Sequence, residues 1–526
     1  MNQCDVAVIG SGHNGLVCAA YLAKAGRNVV VFERRETIGG AVCTQDDLIP
    51  GYRIDTGSSV HIMIHLTPVL RELELCERFG LEYLEMDPWA HYPVLGTERG
   101  ITFYRSVEKT CESIAAFSPR DAEAYRQFVE EWGELNEGVF ETFLGPPHPG
   151  RIMWTMIKRN LLGGARVRKL WASLDTTRRL MAPYGQVIDE LFENAHLKTA
   201  LLWLSAQSGP APSEVASGDM FGWNAMIHRS GAKRAKGGSG ALTQALARCI
   251  TAYGGAVYPS HPVTRLRQAA GGWEIETAEG TWQARQVVGA CHIQTLFGQL
   301  LENPPAELAT RVARLRVGNG FGMIVRHAVE ELPIYSSESG DGQARPYHCA
   351  MQLLCPSAAY LESSFHDFSA GLPPRQPSVV AMTFSALDPT LAPPGKHVLF
   401  TWGQYHPYAL SNGEDWDQIA EREADKLYDL VCRYAPNMRG KLIDRFIQTP
   451  LEIERRHGLL RANVMHLEMS LDQMFFFRPL PELAGYTTPL PGLFLTGSST
   501  HPGGGVFGAS GYNTARVILG KSAGRA

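Results

Sequence analysis

Apolar positions along the chain fall into a few strongly patterned stretches. Residues 4–9 (CDVAVI) form a short apolar run without alternation, the pattern of a strand buried on both faces in a parallel sheet. Glycines at 10, 12 and 15 interrupt it, and a helical pattern then runs to Gly26. A second apolar run, NVVVF, follows and ends at Glu33. Strand, helix and strand within about thirty residues predict a βαβ unit. The carboxyl end repeats the logic: residues 491–497 read as a strand running into Gly497, 501–505 (HPGGG) as the opening of a helix, and 506–520 as its body. Between the ends, 237–250 reads as a helix after glycines and 256–266 as one strand. Residues 273–290 read as a hairpin turning at Glu279-Gly280 and ending in a buried strand. Residues 51–59 read as a strand leading away from the first unit. The blocks 61–230 and 296–460 are mixed in pattern and without an internal repeat, and 371–377 reads as a surface loop.

The glycine positions carry the first chemistry. Gly10 permits a tight turn, Gly12 lets a pyrophosphate approach the backbone, and Gly15 lets helix and strand pack closely. The helix N-terminus turns free N–H groups toward phosphate. Glu33, 18 residues past Gly15, is placed to hold the hydroxyls of an adenosine ribose. These features alone fit NAD or FAD. Gly39-Gly40-Ala41 supplies a second close-approach point, and the glycine-rich carboxyl motif suits a flavin ring, whose N1–C2=O edge gains negative charge on reduction. Together they select FAD. The residues expected at the cofactor are Gly10, Gly12, His13, Asn14, Gly15, Glu33, Arg34, Gly39, Gly40, Ala41, Ser58, Gly497, Ser498, Gly505 and Val506.

These motifs, above all 493–508 (LFLTGSSTHPGGGVFG) and 469–479 with Arg478-Pro479, resemble the FAD-dependent phytoene desaturase and carotenoid oxidoreductase family. Within it, the resemblance is nearest to the carotenoid ketolases and the pyridine nucleotide-disulphide oxidoreductase domain-containing protein 2 group. It implies an α/β fold: a Rossmann-like FAD-binding domain of the glutathione-reductase type, from residues 1–60, 231–295 and 461–526. An α+β substrate or lid domain, from 61–230 and 296–460, is interleaved with it. It also places Val263 at the adenine edge through backbone atoms. One departure is Ser498, where many relatives carry an Asp that binds the ribitol.

Composition then narrows the partners. The 526 residues are 44% hydrophobic and 19% charged with a net charge of −4, an ordinary globular composition that excludes a globally basic nucleic-acid binder. No cysteine pair has metal-ligand or redox spacing, so the ten thiols read as reduced and the location as cytoplasmic, with no secretory leader. Residues 151–174 carry Arg151, Lys158, Arg159, Arg166, Arg168 and Lys169 among Trp154, Leu161 and Trp171, without an acidic residue. They read either as a solvated helix pair or as a peripheral contact with an anionic membrane. No nucleophile motif or metal cluster stands out, so the flavin carries the chemistry. His501 and His61 are the candidate proton-transfer residues, each with packing as the alternative. The leading function is redox chemistry on C–C bonds of a lipophilic, polyene- or isoprenoid-like substrate, with the electron acceptor open. An amine or small-molecule oxidase on the same architecture is the second reading, and an FAD protein acting through partners the third.

Overall fold

The computed structural model describes residues 2–148, 150, 166–335 and 345–520. The expected βαβ unit is present as Asn2–Ile9 (β1), His13–Lys24 (α1) and Val29–Phe32 (β2). Helix Pro119–Phe143 (α2) and helix Gly240–Ala252 (α3) follow. Strands Ala256–Tyr258 (β3), Val263–Ala269 (β4), Gly272–Thr277 (β5), Gly280–Gly289 (β6) and Leu493–Leu495 (β7) lead to the last helix, Ala509–Ile518 (α4).

One sheet has the order β4-β5-β6-β1-β2-β3, and β7 pairs with β6. The long strand β6 makes both arrangements possible. Its first half pairs antiparallel with β5, and Val287–Gly289 pairs parallel with β7. Strands β1, β2 and β3 lie parallel in register, Val6 beside Val29 and Val30 beside Ala256. The inner residues of β1 and β2 are buried on both faces, against α1, α3 and α4 on one side and Trp273, Ile275 and Leu296 on the other, while the edge strand β3 is half-buried.

The single strand expected over 256–266 is two strands on opposite edges of this sheet. Ser260, at φ +56°, breaks the run before Pro262. Residues 51–59 supply only Ile54–Asp55, paired with Thr44–Gln45, before the backbone turns irregular. The tract at 371–377 is less exposed than expected, with Pro373, Pro374 and Pro377 buried.

A second, mainly antiparallel sheet is built from segments spread over residues 90–448, with Gly320–Val329 and His397–Pro407 at its centre. It shares an extensive apolar core with α2 and the helices at 184–230, including Trp89, Trp203, Phe221 and Phe400. Residues 151–165 of the basic stretch lie outside the described residues. No described helix is long and apolar enough to cross a membrane.

Candidate functional site

The carboxyl ends of the parallel strands meet at one place. The Gly10 N–H donates to Phe32 O (2.8 Å), the Ala290 N–H to Ile9 O (3.0 Å), and the Thr496 N–H to Gly289 O (2.9 Å). In open α/β sheets this end is where ligands bind.

The first glycine loop is held from two sides. Gly10 adopts φ +109°, which a side chain would strain. A Cβ on Gly15 would sit 2.5 Å from Gly10 O and 2.9 Å from Ala290 Cβ, so this glycine is required by helix–strand packing. Gly12 differs: at φ −56° and ψ 155° it is unstrained, and a Cβ there meets nothing within 4 Å. Its freedom serves no packing need in the protein and leaves a cradle beside the start of α1. The second glycine pair closes over it. Gly39 bridges Gly12, and a Cβ on Gly40 would lie 3.0 Å from Gly12 Cα.

Glu33 ties these loops together. Its carboxylate accepts the Ser11 N–H (3.0 Å), the Ser11 hydroxyl (2.6 Å) and the Arg35 N–H (3.0 Å), and it is buried. Arg35 was not singled out by sequence, yet its guanidinium donates to Gly40 O (2.7 Å). Arg34, the residue expected here, is exposed, and its guanidinium lies against Gly458. Ala41 O accepts the Ser58 N–H (2.8 Å), which brings Ser58 to the same end. Val263 begins β4 two residues after His261, whose N–H donates to Glu33 O (2.7 Å).

The carboxyl motif packs on the amino one. Gly497, at φ +103°, donates its N–H to Ser510 Oγ (3.0 Å), which also bonds Thr496 and Thr500. Gly511 lets α4 cross α1, since a Cβ there would fall 2.1 Å from Asn14 O. Asn14 Nδ2 donates to His13 Nε2 (3.1 Å), and Asn14 Oδ1 accepts the Gly511 N–H (3.4 Å). His13 is lowered to about 4, chiefly by desolvation and against a hydrogen bond to the Gly505 backbone. His13 and Asn14 therefore strut the two glycine motifs together. One expectation needs correction: the last helix starts at Ala509 and not at Gly503–Gly505. Gly508, at φ +77°, is its N-cap, and Gly503 and Gly505 lie at φ +116° and +105° in the preceding turn. Val506 follows that turn, half-buried.

The two histidines differ. His61 is buried, with Nδ1 at 2.8 Å from Tyr83 Oη and Nε2 at 2.8 Å from Ser239 Oγ. Burial, with Arg234 second, holds it well below the usual imidazole range. Expected as a proton-transfer candidate with packing as the alternative, it has both ring nitrogens engaged and joins segment 57–61 to the start of α3. His501 lies edge-on to Phe143 (5.4 Å between ring centroids) and 6.2 Å from Phe475. Phe140, Trp223 and Phe507 continue this wall, with Phe507 5.0 Å from Phe140 and 5.8 Å from Phe143. Sequence reading missed the wall because its members come from positions 140 to 507.

Two polar residues beside Ser498 and Ser499 were also missed. His466, at φ +66°, places Nδ1 2.9 Å from Ser499 Oγ, and its carbonyl faces His292 Nε2 at 3.0 Å. Arg478 grips the Ser498 carbonyl.

A parallel sheet with a glycine cradle, a ribose-type carboxylate and a second glycine motif packed on the first defines a dinucleotide-binding flavoprotein. The chain belongs to the flavin containing amine oxidoreductase family, whose sequence model matches residues 15–519. It is 33% identical to pyridine nucleotide-disulfide oxidoreductase domain-containing protein 2 of Rattus norvegicus, over 98% of this chain and 93% of the other. It is 25% identical to the lycopene-forming phytoene desaturase of Pseudescherichia vulneris, over 97% of this chain and 98% of that one. A triple mutant of putrescine oxidase shares the fold with a TM-score of 0.61, 15% identity and 99% coverage of each chain. The protein is an FAD-dependent oxidoreductase of the amine oxidase and carotenoid desaturase family, and the open cradle at Gly12 and the donor set around Glu33 fit that cofactor.

Proposed function

We propose that the protein oxidises or reduces C–C bonds of an apolar, polyene- or isoprenoid-like substrate. The observation that carries this reading is the wall of Phe140, Phe143, Trp223, Phe475 and Phe507 around His501, beside the carboxyl flavin motif. Phe140, Phe143, Phe507 and His501 are themselves buried in this cluster; an extended hydrocarbon lying along it would gain roughly 25 cal/mol per Å² buried, and its ring members other than His501 offer no charge to an amine. The likeness to a phytoene desaturase supports the same reading.

In this assignment the bound FAD supplies the two-electron acceptor or donor. Residues 1–60, 231–295 and 461–526 hold it, and 61–230 with 296–460 shape the substrate site. Gly10, Gly12, Gly39, Gly40 and Ala41 admit its pyrophosphate, Glu33 its ribose and Val263 its adenine. Gly497, Ser498, Gly505 and Val506 face the flavin. The aromatic wall excludes water and orients the substrate, and His501, within that wall, handles the proton. His61 holds the segment carrying Ser58. The basic stretch 151–174 serves, on its sequence, as the contact with an anionic membrane from which such a substrate is drawn.

Anaerobic mixing of the flavoprotein with polyenes, isoprenoids and amines tests the reading. Bleaching by polyenes or isoprenoids and not by amines is expected. Bleaching by amines alone would replace it with the oxidase reading.

A further inference from the structure

The carboxyl flavin motif rests against a buried cation with no acidic partner among the described residues. The Arg478 side chain is 0% exposed. Its Nε and Nη2 donate to Ser498 O (3.1 and 2.8 Å), Nη1 to Glu468 O and Gln473 O (3.2 and 3.0 Å), and Nη2 also to Met465 O and Leu467 O (2.6 and 3.4 Å). Every acceptor is a main-chain carbonyl. The nearby carboxylates of Glu468 and Asp472 are turned outward to Arg316, each at 2.8 Å.

Carbonyl dipoles satisfy the donors but leave a net positive charge, and removing an unpaired charge from water is costly. An apolar side chain would leave those five carbonyls without donors, so the guanidinium ties the loop together, and in doing so it holds a fixed positive charge against the carboxyl glycine motif. Ser498 O, held by two of the guanidinium nitrogens, lies between Gly497 and Ser499. Arg478 Nε lies 3.5 Å from where a Cβ on Gly503 would stand, in the turn before α4. His292 is lowered to about 4, first by burial, and His466 falls well below the usual range, with Arg478 contributing to both.

We propose that Arg478 is the fixed positive charge that stabilises the reduced flavin and so sets its redox potential. Taking up two electrons and one proton leaves one net negative charge on the N1–C2=O edge. Arg478 forms no bond and exchanges no proton in that step; it acts through its charge. Sequence had assigned this task to a helix terminus at Gly503–Gly505, which the structure does not contain.

Equilibration of the flavoprotein with a reference dye during stepwise reduction measures the effect without any substrate. Arg478→Lys keeps the charge and loses the planar fork, whereas Arg478→Met loses both. The lysine variant is expected to keep a reduced-to-oxidised ratio within threefold of wild type at a given potential, even if it holds less FAD. The methionine variant is expected to lose at least tenfold in that ratio, a midpoint about 30 mV lower for a two-electron couple. A flavin-loaded methionine variant with an unchanged midpoint would overturn the proposal. If that variant yields no flavoprotein, Arg478→Gln, neutral but with two N–H donors, takes its place, and an unchanged midpoint in it would overturn the proposal, as would a tenfold or larger loss in the lysine variant.

Discussion

Gly12 separates folding from cofactor binding at a single residue. Because a Cβ there meets nothing within 4 Å and its backbone is unstrained, Gly12→Val should leave the protein folded, with stability within about 1 kcal/mol of wild type. The branched side chain fills the pyrophosphate's space, so the purified variant should be colourless. Circular dichroism and the ratio of flavin to protein absorbance check both halves. A folded variant with a full complement of FAD would remove the amino-terminal loop from the site. Gly10, Gly12, Gly15 and Glu33 were legible because each answers a local backbone or spacing requirement within the first βαβ unit. Arg35 was not, since nothing local distinguishes it from Arg34. Only the path of the chain turns one guanidinium back to Gly40 O and leaves the other exposed.

Among elements, the crossing of the first and last helices is the tightest joint near the site. Gly511→Ala places a Cβ 2.1 Å from Asn14 O and should cost about 1–3 kcal/mol as the helices part. Thermal unfolding of the FAD-bound variant should show a lower midpoint together with weaker FAD retention, because His13 and Asn14 at this joint also hold the Gly505 turn. An unchanged midpoint would mean that the helices shift without loss. Element type was readable where the pattern is strong, as in β1, α1, α3 and the β5–β6 hairpin. It failed where glycine has two meanings. Gly503–Gly505 looked like a helix start, but the positive φ values of Gly503 and Gly505 build a turn and Gly508 caps the helix. The run 256–266 looked like one strand because local alternation does not record which sheet edge a strand joins. The aromatic wall, His466 and Arg478 owe their roles to contacts between distant segments, which no local pattern encodes.

At the scale of the whole molecule, buried histidines set the acid limit. His13, His65, His91, His292 and His348 are lowered to about 4, and His327, His406 and His457 to about 3, in each case first by burial. Below pH 6.5 the unfolded chain takes up protons that the folded one refuses until its own lower pKa values are reached. Stability is therefore fully present above about 6.5 and falls as pH drops toward 4 and 3. One such group gives a slope approaching ~1.4 kcal/mol per pH unit, and several together should give at least twice that. Denaturant unfolding at pH 7.5, 6.0 and 5.0 measures it, and equal stability at all three would refute it.

The architecture is that of a flavoprotein whose second sheet and helices share one apolar core, and whose aromatic cluster stands beside the carboxyl glycine motif. The most direct test is an anaerobic single turnover of the flavoprotein with a polyene hydrocarbon, following the flavin absorbance and then identifying the recovered product. The account predicts either bleaching of one flavin per molecule converted, with a product of one more C=C bond and two fewer hydrogens, or, starting from reduced flavin, its reoxidation by the polyene with a product of one fewer C=C bond and two more hydrogens. Flavin that stays oxidised with every polyene and isoprenoid offered, but bleaches with an amine to yield the imine, would contradict it.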